Sequence, residues 1–147
     1  MSRRKAKSNP ALDRVATAYL GLRRTQMALL FGVAICAVLG LALHHAEPGS
    51  LGSRSYLPAI FSTVLLTFGY TTRNSMATPA LRELRRNHQD LIALARWNRY
   101  STLSMGLCAA VALIGFGMQL MGGATTICLV LYAIAAAYLF LLGPVRP

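Results

Sequence analysis

The stretch YSTLSMGLCAAVALIGFGMQLMGGATTICLVLYAIAAAYLFLLGPV, residues 100–145, contains no Asp, Glu, Lys or Arg. A helix needs about 20 predominantly apolar residues to cross the ~30 Å hydrocarbon layer of a bilayer. The run is long enough for two crossings, and Gly122-Gly123 marks the fold-back between them. Upstream, two more apolar segments complete a set of four: 25–43, 56–72, 102–121 and 125–142. Of the 147 residues, 55% are hydrophobic and only 13% charged, too little polar material to cover a soluble domain. The first segment exceeds a signal-peptide core in length and lacks a clean small-x-small cleavage site, so it is expected to stay in the mature protein.

Basic residues near the ends of crossings are retained on the cytoplasmic side. Seven precede the first crossing (Arg3, Arg4, Lys5, Lys7, Arg14, Arg23, Arg24) and six lie between the second and third (Arg73, Arg82, Arg85, Arg86, Arg96, Arg99). Arg146 follows the fourth, and only Arg54 falls on the other side. Both termini and the central loop are therefore assigned to the cytoplasm. Tyr56 at the outer boundary, and Tyr70, Trp97, Tyr100 and Tyr138 near the inner one, fit the headgroup level that amphipathic rings favour.

The expected architecture is all-α: a polytopic membrane protein with four transmembrane helices as two antiparallel hairpins and a cytoplasmic amphipathic helix before each pair. In segments, 1–24 is a basic amino-terminal region with a short amphipathic helix and 25–72 the first hairpin. Residues 73–101 form the basic amphipathic helix, and 102–147 the second hairpin with a short tail. Leu81, Leu84, His88, Leu91 and Ala95 follow the spacing of one helical face, which suits a helix lying flat on the anionic inner leaflet or, as the alternative, one continuing straight into the third crossing as a projecting stalk. Asn98 to Ser101 is then the natural bend before the third crossing. Leu12, Val15, Tyr19 and Leu22 give the first amphipathic helix the same character. Asn9-Pro10-Ala11-Leu12 is echoed by Thr78-Pro79-Ala80-Leu81, each a capping residue followed by proline, which raises a tandem duplication with parallel halves.

Candidate chemistry is sparse. No ionisable side chain lies in the middle of a crossing, where proton relays and ion-coupled pumps normally place one. Small multidrug exporters have similar size and four crossings, but their membrane-embedded Glu has no counterpart here. His44-His45 with Glu47 is the nearest approach to a metal cluster, yet adjacent histidines on a helix diverge and zinc needs three or four converging ligands. Neither a metal nor a cofactor is expected. The cysteines fall within apolar segments and the four acids in loops, so no catalytic triad assembles. Glu83, His88 and Asp90 are the one interfacial group that a lipid-modifying enzyme could use. The net charge of +11 follows from topology, and nucleic acid is not an expected partner.

Small residues carry more information, because in lipid close backbone approach rather than hydrophobic drive brings helices together. Gly32, Cys36 and Gly40 form one such stripe, Ser104, Cys108 and Ala112 a second, and Ala124, Cys128, Tyr132 and Ala136 a third. They suit packing within the bundle, against a partner membrane protein or against a second copy. The hydroxyl row Ser62, Thr63, Thr67, Tyr70 and Thr71 could line a pore in a homo-oligomer. The leading expectation is a non-enzymatic inner-membrane protein, an accessory subunit or a binder that neutralises another membrane protein. A homo-oligomeric channel or small-solute transporter is the alternative, and an interfacial lipid-modifying enzyme the third. The Arg-rich, Ala-, Leu- and Gly-rich usage is that of a high-GC bacterial genome.

Overall fold

The computed structural model describes residues 10–43, 56–87 and 89–144, and every regular element among them is helical. Helix α1 covers Pro10–Ala42, α2 Tyr56–Thr72, α3 Thr78–Arg86, α4 Leu91–Leu120 and α5 Thr125–Leu141. A π-helical turn, Arg73–Ala77, joins α2 directly to α3. At 33 and 30 residues, α1 and α4 reach about 50 Å and 45 Å, whereas the 17 residues of α2 or α5 span about 25 Å. Two stretches, Leu12–Ala42 and Leu91–Leu120, are long and apolar enough to cross a membrane.

Helix α4 is the hub. It packs on α1, α2, α3 and α5, while α1 and α2 hardly touch each other. The first expected hairpin is thus not a packed pair, because its two helices lie against different faces of α4. Residues Trp97, Ser101, Ser104, Met105, Cys108, Val111, Ala112, Gly115, Met118 and Gln119 are all buried. Their three- and four-residue spacing wraps more than one face, and the small ones among them admit several neighbours at close range.

Close approaches set the helix directions. Gly40 lies against Gln119, Gly69 against Ser104 and Cys108, Gly115 against Cys128 and Leu131, and Gly143 against Gln26. Helix α1 therefore runs parallel to α4, and α2 and α5 run antiparallel to it. The starts of α1 and α4 and the ends of α2 and α5 meet at one end of the molecule. Every described arginine, from Arg14 to Arg99, belongs to that end or to its extensions, and the opposite end carries no Asp, Glu, Lys or Arg among the described residues.

Three local departures have physical causes. The amino-terminal amphipathic helix is not a separate element: α1 is continuous from Pro10, with Val15 and Leu22 buried. No glycine or proline interrupts it where the polar part meets the apolar part, apart from Gly21, so nothing stops propagation. Thr78 does not begin a free-standing helix either; its backbone N–H donates to the Arg73 carbonyl across the wide turn, and its hydroxyl does the same at 3.2 Å. Pro79 cannot donate a backbone hydrogen bond and would crowd an ordinary α turn, a conflict that a π-bulge relieves without ending the helix.

The flat helix expected across Leu81 to Ala95 is broken. Asn87 is extended, its side-chain oxygen accepts from the Gln89 N–H at 3.1 Å, and Asp90 caps α4 by accepting from Ile92 and Ala93 N–H at 2.9 and 3.0 Å. Short polar side chains offer the backbone such alternatives to helix, and favour caps. Helix α4 then continues through Asn98 to Ser101 without interruption. At its other end, Gly122 adopts φ 79°, Gly123 N–H reaches Met118 O at 2.8 Å and Gly122 N–H reaches Gln119 O at 3.2 Å. This is a Schellman cap. A Cβ on Gly123 would sit 2.8 Å from the Met118 carbonyl, so the Gly-Gly pair is a steric requirement of the turn.

The spacing from Pro10 to Pro79 equals that from Tyr56 to Thr125, the starts of the equal-length α2 and α5. Yet unbroken α1 faces the broken pair α3 and α4, so the halves have diverged in shape if they share an origin.

Candidate functional sites

The stripe Gly32, Cys36, Gly40 divides. Gly40 is buried, and a Cβ there would overlap the Gln119 amide and come within 3.0 Å of the Tyr132 hydroxyl. Gln119 is itself 1% exposed; its Oε1 accepts from Tyr132 Oη at 3.1 Å, while its Nε2 is buried without a hydrogen-bond partner. Gly40 is thus a component of the chain's own packing. Gly32 differs, because a Cβ built on it meets nothing within 4 Å. Around it runs an apolar groove of about 160 Å³ formed by Ala28, Gly32 and Cys36 of α1 with Ala109, Ala112 and Leu113 of α4.

The other stripes face inward. Ser104, Cys108 and Ala112 are buried in the core, as are Cys128 and Tyr132, while Ala136 is half-buried and Ala124 exposed. Ala135, missed by the four-residue spacing, is fully buried. A contact face of α5 about three residues wide would have included it. Cys36, Cys108 and Cys128 are free thiols.

The hydroxyl row bonds its own helix. Ser62, Thr63, Thr67 and Thr71 donate to the carbonyls of Pro58, Ala59, Thr63 and Thr67 at 2.8, 3.0, 2.9 and 2.8 Å. Ser62 is buried, whereas Thr63, Thr67, Tyr70 and Thr71 are exposed. With their protons spent on the backbone, the hydroxyls of Ser62, Thr63, Thr67 and Thr71 retain only acceptor capacity toward a solute.

Of the amphipathic face, Leu81 and Leu84 are buried against the bundle, while Leu91 and Ala95 are exposed because the break at Asn87 rotates the register. His88 lies outside the described residues, as do His44, His45 and Glu47. Glu83 is exposed and Asp90 is engaged as a helix cap. Trp97, expected in the headgroup belt, is a residue of α4 that is 2% exposed and lies beside the π-turn and α3.

Beside Trp97 the π-turn, α3 and α4 enclose a cleft of about 300 Å³ that sequence reasoning missed. Arg73, Arg82 and Arg85 line it with Ala77, Thr78, Leu81 and Trp97. Arg73 Nη2 donates to the Gly143 carbonyl at 2.9 Å, tying the end of α2 to the end of α5, while Nη1 is buried with no hydrogen-bond partner. Burial holds the Arg73 pKa below the usual arginine value, against a smaller opposing influence of Cys108. Arginine starts so high that the group remains cationic at physiological pH. Nearby, Gln26 Nε2 donates to Leu139 O at 2.9 Å, pinning α1 to the same corner.

No protein-family model, curated protein or solved structure matches this chain.

Proposed function

We propose that the chain is an integral membrane protein of a bacterial inner membrane, both termini cytoplasmic, which works without catalysis by packing a helix of another membrane protein into the groove around Gly32. Membrane placement is supported by the outward faces of α1 and α2. Phe31, Val38, Leu57, Ile60, Phe61 and Phe68 are all more than half exposed. Soluble monomers rarely present contiguous apolar surface of this extent. The collection of arginines at one end supports the orientation, since positive charge is retained on the cytoplasmic side.

Gly32 carries the functional reading. Glycine inside a helix costs about 0.5–1 kcal/mol relative to alanine, and no neighbour within the chain uses the space it leaves. Lipid tails do not require a glycine, whereas a second helix at close range does. A transmembrane segment of a partner, bearing its own small residues, suits a groove lined by Ala28, Ala109 and Ala112 with Cys36 and Leu113. An accessory subunit and a neutralising binder both work in this way.

The test is co-purification after mild detergent extraction, with Gly32→Leu against wild type. Loss of a membrane-protein partner with an unchanged helical melt is the expected result; recovery only of a second copy of this chain would turn the groove into a homo-oligomer contact. Undiminished partner recovery would sink the assignment. A pore lined by the hydroxyls of α2 draws less support, because those hydroxyls donate to their own helix. Liposome conductance abolished by Thr67→Leu would reinstate it.

A further inference from the structure

We infer that the helix received by the Gly32 groove leaves the bilayer between Arg24 and Arg99, and that the partner carries Asp or Glu in the cytoplasmic segment adjoining that helix. The inference rests on the groove reading proposed above and adds to it the chemistry of the partner's flank. Both walls of the groove can be followed toward the basic end. On α1, Arg24 lies one turn before Ala28 and two turns before Gly32, and Gly21, just beyond it, has nothing within 4 Å of a Cβ built on it. On α4, Arg99 lies two turns before Gly106, which is equally open and stands two turns before the lining residue Leu113. Residues at such spacings share a helix face, so the two arginines continue the two walls. Both are exposed. Because α1 runs parallel to α4 and Gly40 meets Gln119, they stand within about one turn of the same height.

Each arginine also directly precedes an apolar run, 25–43 on α1 and the charge-free stretch that starts at Tyr100 on α4. A helix lying in the groove therefore emerges from lipid where the two guanidiniums stand. The charge around them selects the occupant. Among the described residues the basic end carries nine arginines against three acids, and one of those acids, Asp90, is bonded to the backbone of α4. A second copy in the same orientation would set two such ends side by side, and like charges across an interface suppress association. A partner with the ordinary Lys/Arg-rich cytoplasmic flank is penalised in the same way. An acidic flank is attracted instead, and carboxylates match the planar fork of arginine. Close packing in the groove is open to any helix with small residues, so the charge at its mouth is what discriminates among them.

The test uses full-length protein extracted from its native membranes in mild detergent, with the co-purifying membrane protein identified by its sequence. That protein is expected to place Asp or Glu beside the cytoplasmic end of a helix bearing small residues. Arg24→Glu combined with Arg99→Glu should lower its recovery about tenfold at low salt, because two attractions become repulsions, and rising salt should shrink the difference. Arg82→Glu combined with Arg86→Glu makes the same change in net charge on α3, outside the walls of the groove, and should leave recovery unchanged. Exchanging the partner's acids for arginines should restore its recovery by the Arg24, Arg99 variant. If Gly32→Leu loses the partner while the Arg24, Arg99 reversal keeps it, this inference is overturned and the groove reading stands. If Gly32→Leu keeps the partner, the groove reading falls and this inference with it. A partner whose flank is basic or uncharged, recovery of a second copy alone or of nothing, or an equal loss from the α3 reversal would each overturn the proposal.

Discussion

Gly40 and Gly32 stand about two turns apart on α1, and they do opposite things. Near the uncharged end, Gly40 lets α1 settle on the Gln119–Tyr132 pair, so its missing side chain is consumed by the fold. Midway along, Gly32 opens onto a groove that no part of the chain fills. The same residue type in the same periodic stripe thus serves an internal seam at one level and an outward surface at another. A stripe of small residues tells where close approach is possible. Which neighbour approaches depends on how far the helices diverge from α4 at that height.

Substitutions should separate the two regions sharply. The largest effect is expected from Gly40→Leu, whose added atoms overlap Gln119 and Tyr132; overpacking of this kind costs about 1–3 kcal/mol or more, and thermal unfolding in detergent should show an early, broadened transition. Tyr132→Phe leaves the Gln119 amide with neither of its polar atoms bonded and should cost about 1–3 kcal/mol in the same assay. If Tyr132→Phe proved neutral, the polar pair would not be part of the seam. Asp90→Ala removes the cap of α4 and should cost about 1 kcal/mol, with faster amide exchange at Ile92 and Ala93. Gly32→Leu is expected to change stability least, within about 0.5 kcal/mol as for other substitutions away from packed features. An early melt for Gly32→Leu would erase the contrast with Gly40.

A second contrast lies between the two ends. Among the described residues, charge is confined to one end, where Arg73 and Gln26 tie α2, α5 and α1 together through the carbonyls of Gly143 and Leu139. At the other, packing alone and the Gln119–Tyr132 hydrogen bond hold the helices. Gln26→Leu should therefore loosen the basic end specifically, by about 1 kcal/mol, seen as faster amide exchange near Leu139 with little change near Tyr132. Uniform loosening along α5 would show that the ends are not independent.

Helix placement was the legible part. The run 56–72 coincides with α2, and 125–142 exceeds α5 by one residue, because an uninterrupted apolar stretch between polar boundaries leaves the backbone little alternative. The Gly122-Gly123 turn was readable for a steric reason, the positive φ that glycine alone adopts cheaply. The break at Asn87 was signalled by Asn87 and Asp90, but the matching spacing of Leu81, Leu84, Leu91 and Ala95 masked it. Arg73 was read as one of many topology-setting charges. Nothing local distinguishes it from Arg82 until the π-turn and the end of α5 are brought beside it.

Although the early starts of α1 and α4 were not legible, the amino-acid order by itself determined that the chain is helical, where α2 and α5 begin and end, and that positive charge gathers in segments rather than spreading. These follow from short-range effects: hydropathy, spacing, caps and the glycine turn. Only the tertiary structure decided that α4 is the hub, that Gly40 is internal while Gly32 is open, and that Arg73 reaches across to the Gly143 carbonyl at the end of α5. Those outcomes depend on which helix faces which across tens of residues of separation, and a periodic pattern specifies a face without specifying its partner.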